Sequence, residues 1–233
     1  MWGLVPVRGV FRQVTGNGTV SAAGDVTGTI TVAARPVHTK NKRRDEHLPG
    51  LQRGPPDPGR PAGRTLAPLE EKVDHVRGSP AGRLILEYGD YECPYSRQAF
   101  DSIEQVERRL GGNVRFAFRH FPLTRIHPHA LAAAAAAEAA ALQGRFWDMH
   151  ELLFHRQKAL EHSDLLRYAA QLGLDVAAFD RDRASAAVAD RIRRDVDSGL
   201  ASGQVVGTPT LFIDGVVHRG GYDPPTLLAA LAP

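Results

Sequence analysis

The chain has 233 residues, of which 42% are hydrophobic and 24% charged, with a formal net charge of +3 at neutral pH. No apolar run approaches the roughly 18–20 residues of a membrane-spanning helix, so no membrane span is expected from a sequence sized for one or two domains. The single cysteine excludes an internal disulfide framework and a multi-thiolate metal site, leaving an inert buried thiol or a reactive one.

The opening MWGLVPVRGVFRQ lacks an unbroken apolar stretch of about 7–15 residues with a small-residue cleavage site. We therefore read no secretory leader and expect a cytoplasmic protein. Charge is unevenly placed: residues 1–82 hold 12 Lys/Arg against 7 Asp/Glu, whereas residues 83–233 hold 17 against 19. The basic character belongs to the leading segment. Residues 1–71 run through Gly/Thr/Val stretches, a basic patch at Lys40–Arg44, and LPGLQRGPPDPGRPAGR. So little apolar content cannot offset the entropy of ordering, which predicts a disordered Pro/Gly-rich basic tail. A small hairpin around Asn17-Gly18 is a local option, since Asn-Gly suits a tight turn. The patch is read as solvated, so no nucleic-acid partner is expected.

Residues 72–233 are expected to form one domain, regular from residue 83. Arg83–Tyr88 is a short apolar run closed by Gly89-Asp90, which predicts a buried strand. After Cys93-Pro94, the residues Phe100, Ile103, Val106 and Leu110 recur at helical spacing until Gly111-Gly112 stops them. Val114–Phe118 predicts a second strand. Between about 127 and 203 the pattern is helical: 130–142, 146–154, 163–172, then a short helix that Asp175 can cap, and a longer one carrying Val188, Ile192 and Val196. Thr208–Ile213 and Val216-Val217 read as strands joined by Asp214-Gly215, a dipeptide suited to a type I′ turn. Asp223-Pro224 opens a last helix, with Asp capping and Pro in the first turn. The predicted fold class is α/β: a thioredoxin fold with a central mixed sheet, helices on both faces and a helical insertion at about 127–203.

Cys93 falls just before a helix whose first residue is Pro94. The orphan N–H groups and the dipole of that helix start favour a thiolate, the reactive form of cysteine. Asp90 and Glu92 oppose it with like charge. Pro209 opens a strand run, where a proline marks an edge or turn device such as a cis peptide. Backbone groups of the residue before such a proline can pair with an extended peptide.

Taken together, Tyr88-Gly89-Asp90-Tyr91-Glu92-Cys93-Pro94-Tyr95, Arg119-His120-Phe121-Pro122-Leu123, His127-Pro128-His129-Ala130, Gly144-Arg145-Phe146-Trp147 and Gly207-Thr208-Pro209-Thr210 resemble the DsbA-like thiol-disulfide oxidoreductases of the thioredoxin superfamily. The resemblance covers about 160 residues and is to forms that stand alone or are fused behind bacterial sodium/proton antiporters. It implies that Cys93 is the attacking thiolate, with Pro94, Tyr95 and Ser96 completing its motif. It also implies that Thr208 and a cis Pro209 face the sulfur and bind substrate. Members usually read Cys-Pro-Tyr-Cys, whereas this chain reads Cys93-Pro94-Tyr95-Ser96, so the resolving thiol is missing. A hydroxyl is no useful nucleophile at neutral pH without a base.

Three readings of that departure stay open: a monothiol enzyme whose mixed disulfide an external thiol resolves, a peroxide sensor passing through a sulfenic acid, or a trapping substitution in a dithiol enzyme. The expected substrate is a disulfide-bearing protein or small thiol, with glutathione or another low-molecular-weight thiol as co-reactant. No metal, nucleotide or flavin is implied. A rival is a non-catalytic peptide-binding or chaperone-like module on the same fold. Another is a kappa-type glutathione transferase or isomerase relative, disfavoured because that branch generally places serine where Cys93 stands. Ser96 is expected to be a near-surface hydroxyl. His127 and His129 flank Pro128, and His150 and His155 stand five apart, off one helical face, so none is read as a metal ligand. Phe116, Phe118, Phe146, Trp147 and Phe212 are expected in the core, and Ala132–Ala137 against a neighbouring element.

Overall fold

The computed structural model describes residues 14–20, 26–32 and 66–232. It divides into one unit within residues 1–59 and a second within 60–233. In the first unit, β1 (Val14–Val20) pairs antiparallel with β2 (Val26–Val32), and Asn17 lies opposite Thr29. The predicted tail therefore contains a hairpin, but Asn17-Gly18 sits mid-strand and not at its turn. The Lys40–Arg44 patch lies outside the described residues.

The second unit is built on a five-stranded sheet of order β3-β5-β4-β6-β7. Its strands are β3 (His75–Gly78), β4 (Arg83–Gly89), β5 (Val114–His120), β6 (Thr210–Ile213) and β7 (Val216–Val217). β4 and β5 run parallel, while β3, β6 and β7 pair antiparallel with their neighbours. The β4 to β5 crossover is α1 (Pro94–Leu110), which buries Phe100, Ile103 and Val106 and stops at Gly111, φ 54°. Each such apolar side chain contributes about 1.5–3 kcal/mol on leaving water. The insertion holds α2 (Ala130–Ala141), α3 (Phe146–His155), α4 (His162–Gln171), α5 (Val176–Arg183) and α6 (Ala186–Ser202). Asp175 and Ser185 cap α5 and α6 through their side chains, and α6 ends at Gly203 in the left-handed region. Asp214 and Gly215 both have positive φ, as the predicted β6–β7 turn requires, and Asp223 caps α7 (Pro224–Ala230).

Strand alternation sorts the core into two faces. Ile85, Phe116, Phe118, Leu211 and Ile213 share a cluster with Phe100, Ile103, Phe146 and Phe154. Leu86, Tyr88, Ala117 and Phe212 gather on the other face with Phe121 and Val205. Phe116, Phe118, Phe146 and Phe212 are buried as expected, while Trp147 only packs against the cluster. Ala133, Ala136 and Ala137 are fully buried, their small side chains letting α2 lie close against α3, α5 and α6.

Two features escaped the sequence reading. β3 is short and interrupted in hydrophobicity, and it extends the sheet beyond β5. The domain also begins before residue 72: Leu66 and Leu69 pack against the second face, and buried Arg119 donates to the carbonyls of Ala67 and Pro68. Among the described residues no helix is long and apolar enough to cross a membrane.

Candidate redox site

β4 carries the chain to Gly89, and four further residues turn it into α1. A Cβ at Gly89 would lie 2.4 Å from the Phe118 ring and 2.8 Å from a Glu87 carboxylate oxygen, so only glycine fits at this strand exit. Cys93 is the residue preceding α1, extended at φ −75° and ψ 122°, and Pro94 occupies the first turn where no N–H is needed. The Thr208-Pro209 bond is cis. The Cys93 Sγ lies 3.3 Å from the Thr208 carbonyl oxygen and donates to it. Sequence positions 115 apart thus meet as expected.

Burial sets the surroundings of the sulfur and corrects the expectation for Ser96. Cys93 is only 3% exposed, so the sulfur is covered and not openly accessible. Ser96 is completely buried, and its Oγ accepts the Asp90 N–H at 3.3 Å, because the first turn of α1 tucks back beneath the strand exit. It is therefore no surface hydroxyl. Tyr95 points outward and is 57% exposed. The flanking carboxylates are also tied down. Asp90 accepts the N–H groups of Glu92 and Leu123, at 2.8 Å each, and His127 Nδ1–H at 2.8 Å. Glu92 accepts the His129 backbone N–H at 2.6 Å and its Nδ1–H at 2.9 Å.

Three further residues were not singled out from sequence. Gln157 donates from Nε2 to the carbonyls of Tyr91 and Cys93, 2.8 Å each, fixing the turn. Tyr222 lies near Cys93 and Tyr95; burial and then the charges of those two groups raise its phenol. Glu87 is fully buried with neither carboxylate oxygen partnered among the described residues, and burial pushes it up to about 8. By alternation with Ile85 it sits on the sheet face that α1 covers. The signal for Glu87 was an acidic residue inside the apolar run Arg83–Tyr88.

The His150 imidazole is buried among Tyr91, Phe100, Phe118 and Phe154, takes a 3.0 Å hydrogen bond with the Tyr91 hydroxyl, and is held well below the usual histidine range by burial. His75, His120 and Glu138 converge closely enough to hold a metal ion. Yet Glu138 Oε1 already accepts from both Nε2–H groups at 2.8 Å, and Arg191 Nε is 3.9 Å from the same oxygen. Burial pushes Glu138 up, but the two histidines outweigh it and lower its carboxyl, so the trio works as a hydrogen-bonded clamp joining β3, β5 and α2.

The family model described as Thioredoxin matches residues 70–232. The chain belongs to the thioredoxin family. A thioredoxin-like oxidoreductase from Silicibacter pomeroyi DSS-3 is similar to this family member at 28% identity and a TM-score of 0.60, over 68% of this chain and 90% of that one. The oxidised BdbD of Bacillus subtilis shares the fold at 21% identity and a TM-score of 0.61, over 70% and 92% of the two chains. Wolbachia pipientis alpha-DsbA1 does so at 21% and 0.60, over 71% and 92%. Structural neighbours of this thioredoxin-family domain are thus DsbA-like thiol-disulfide oxidoreductases. Among curated proteins, the Na(+)/H(+) antiporter NhaA 1 of Mycolicibacterium gilvum (strain PYR-GCK) is 44% identical over 178 residues, 75% of this chain and 29% of the antiporter. The match thus spans under a third of that relative's length.

Proposed function

We propose that this thioredoxin-family domain is a monothiol oxidoreductase working in the cytoplasm, a reducing compartment that supplies the external thiol its cycle needs. The Cys93 thiolate attacks one sulfur of a substrate disulfide; a Cys93–substrate disulfide forms and the other substrate sulfur leaves as a thiolate that takes up a proton. A second thiolate, from glutathione or another low-molecular-weight thiol, then attacks the mixed disulfide. Cys93 leaves as thiolate, and the substrate departs joined to the incoming sulfur. No net oxidant is needed, because each exchange makes one S–S bond and breaks one. The observation carrying this reading is the lone Cys93 sulfur at the start of α1, beside the Thr208 carbonyl, with a serine at 96. Thr208 and Pro209 offer backbone to an extended substrate, and Tyr95 an exposed ring to its flank.

Burial of Cys93 at 3% exposure favours a second reading, a peptide-binding module that has lost catalysis. Incubation with oxidised glutathione across pH 5–9, read by intact mass, separates the two. Rapid formation of one adduct at or below neutral pH, reversed by reduced glutathione, supports the enzyme. A thiol inert until about pH 8.5 leaves the binding module.

A further inference from the structure

Both ring nitrogens of His129 face carboxylates: Nδ1 lies 2.9 Å from Glu92 Oε1, and Nε2 lies 3.1 Å from Glu161 Oε1. Carboxylates only accept, so both contacts are hydrogen bonds only when the ring carries two protons. The geometry of this pair is that of an imidazolium. We propose that His129 is a positioning residue whose charge state sets the electrostatic field at Cys93 through Glu92, the residue adjoining the nucleophile. This inference rests on the oxidoreductase reading and names a regulation of the same site.

The latch is assembled from three separate elements. His129 stands at the start of α2, Glu92 on the turn entering α1, and Glu161 at the start of α4. Glu92 Oε2 also takes the His129 backbone N–H at 2.6 Å, so its carboxylate stays at the N-terminus of α2 when the ring is neutral. With His129 protonated, Glu92 is compensated and contributes little field at the sulfur. When the ring loses a proton it can serve only one of the two carboxylates and its charge no longer compensates Glu92, so a net negative charge remains one residue from Cys93. That charge opposes thiolate formation. The His129 side chain is 36% exposed, so solvent exchanges its proton freely. The hydrogen bond that the ring donates to Glu92 is the largest cause raising its pKa, so the pairing favours the charged ring.

Other titratable and charged groups surround the latch. His127 pairs with Asp90 on the same turn, and Asp90 keeps two backbone donors besides that ring. Asp164 accepts the Glu161 N–H at 3.2 Å on the α4 side. Glu87 lies on the strand before the turn, Tyr91 and His150 beside it, and Tyr222 near Cys93 from the C-terminal side. Of these, only His129 bridges two carboxylates while touching the residue next to the nucleophile.

The test is the rate of Cys93 alkylation by iodoacetamide in the full chain, read by intact mass from pH 5 to 9. In His129→Gln the ring charge is gone, so the reaction is expected to be about fivefold slower than the parent at pH 5.5–6.5, converging with it above pH 8.5. In a Glu92→Gln background, His129→Gln should have no effect, as a double-mutant cycle requires of a charge acting through Glu92. A uniform slowing at every pH, or a profile matching the parent, overturns the inference, and so does an unchanged His129→Gln effect without Glu92. Should His129→Gln lose its fold by circular dichroism, the ratio of Glu92→Gln to parent rates decides: it must rise through the His129 titration, and a constant ratio overturns the latch. A parent Cys93 inert to both iodoacetamide and oxidised glutathione sinks the oxidoreductase reading and the latch with it. A reactive Cys93 with an unmoved His129→Gln profile sinks only the latch.

Discussion

Cys93 donates its thiol hydrogen to the carbonyl of Thr208 across 3.3 Å, so the thiol's partner is backbone and not a side chain. The Thr208 hydroxyl, in contrast, is buried with no partner among the described residues. An unpaired buried hydroxyl costs about 1–3 kcal/mol. Thr208→Val keeps the shape and removes that group, so the urea midpoint is expected to rise, equivalent to about 1 kcal/mol. A loss of stability would show that the hydroxyl has a partner after all.

Restoring the missing sulfur tests the monothiol chemistry. Ser96 sits in the first turn of α1, buried, and accepts one N–H from Asp90 at 3.3 Å. Ser96→Cys supplies an internal thiol of the type usual in this family, and insulin reduction should rise at least about tenfold over the parent. Equal rates in the two proteins would mean that the absent thiol is not what limits dithiol turnover.

Glu87 makes stability depend on pH in a defined direction. Its folded value of about 8 lies above its ordinary value of 4.5, so the folded state keeps a proton that the unfolded chain has released. Stability is therefore full below about pH 4.5 and lost as pH rises to 8, by roughly 4 kcal/mol if this group acts alone. Glu87→Gln should flatten that slope, matching the parent at pH 5 and exceeding it by about 3–4 kcal/mol at pH 8.5. Urea titrations at the two pH values decide the matter, and parallel slopes in both proteins would refute it.

Asp74 and Arg119 form a sealed bidentate pair, Nε to Oδ1 and Nη2 to Oδ2 each at 2.9 Å, with both side chains wholly buried. Burial pushes the Asp74 carboxyl up, but hydrogen bonds and charge from Arg119, with help from Arg194, leave it lowered. Its stabilising share is thus present above the ordinary aspartate range and lost as pH falls through the depressed value. Arg119→Met removes the main partner of a buried carboxylate, leaving it the Glu70 N–H at 2.7 Å and Arg194 at 3.3 Å, and frees the Ala67 and Pro68 carbonyls. The expected loss is about 3–5 kcal/mol by chemical denaturation, with Asp74→Asn in the same background recovering part of it.

The exit glycine offers a test of how closely the turn is packed. Gly89→Ala drives a methyl into the Phe118 ring at 2.4 Å. A cost of about 1–3 kcal/mol is expected from the forced backbone shift, together with slower adduct formation at Cys93 four residues on. A neutral effect would mean that the strand exit yields more easily than its contacts suggest.

Local pattern in the sequence specified every α-helix of the domain. Apolar spacing and punctuation suffice where a helix has a stripe and a stop, as with Phe100, Ile103, Val106 and then Gly111. The same holds for the Asp214-Gly215 turn, whose two positive φ angles belong to residues that tolerate them. The order of elements and the Cys93-Pro94 and Thr208-Pro209 segments were enough to place the chain near its family. What the sequence left open were relations between distant residues. β3 is four residues long and becomes a strand only by pairing with β5, while Leu66 and Leu69 read as tail until the sheet face they cover exists. Depth was equally hidden: periodicity indicates which face a residue occupies, not that Ser96 is sealed beneath Asp90 or that Cys93 is covered. The charged turn is the clearest case, since Asp90 and Glu92 read as free carboxylates beside a thiolate. Only folding brings His127 and His129, 37 residues away in each pairing, onto those oxygens. Electrostatic energy depends on distance and burial, and both are properties of the assembled chain.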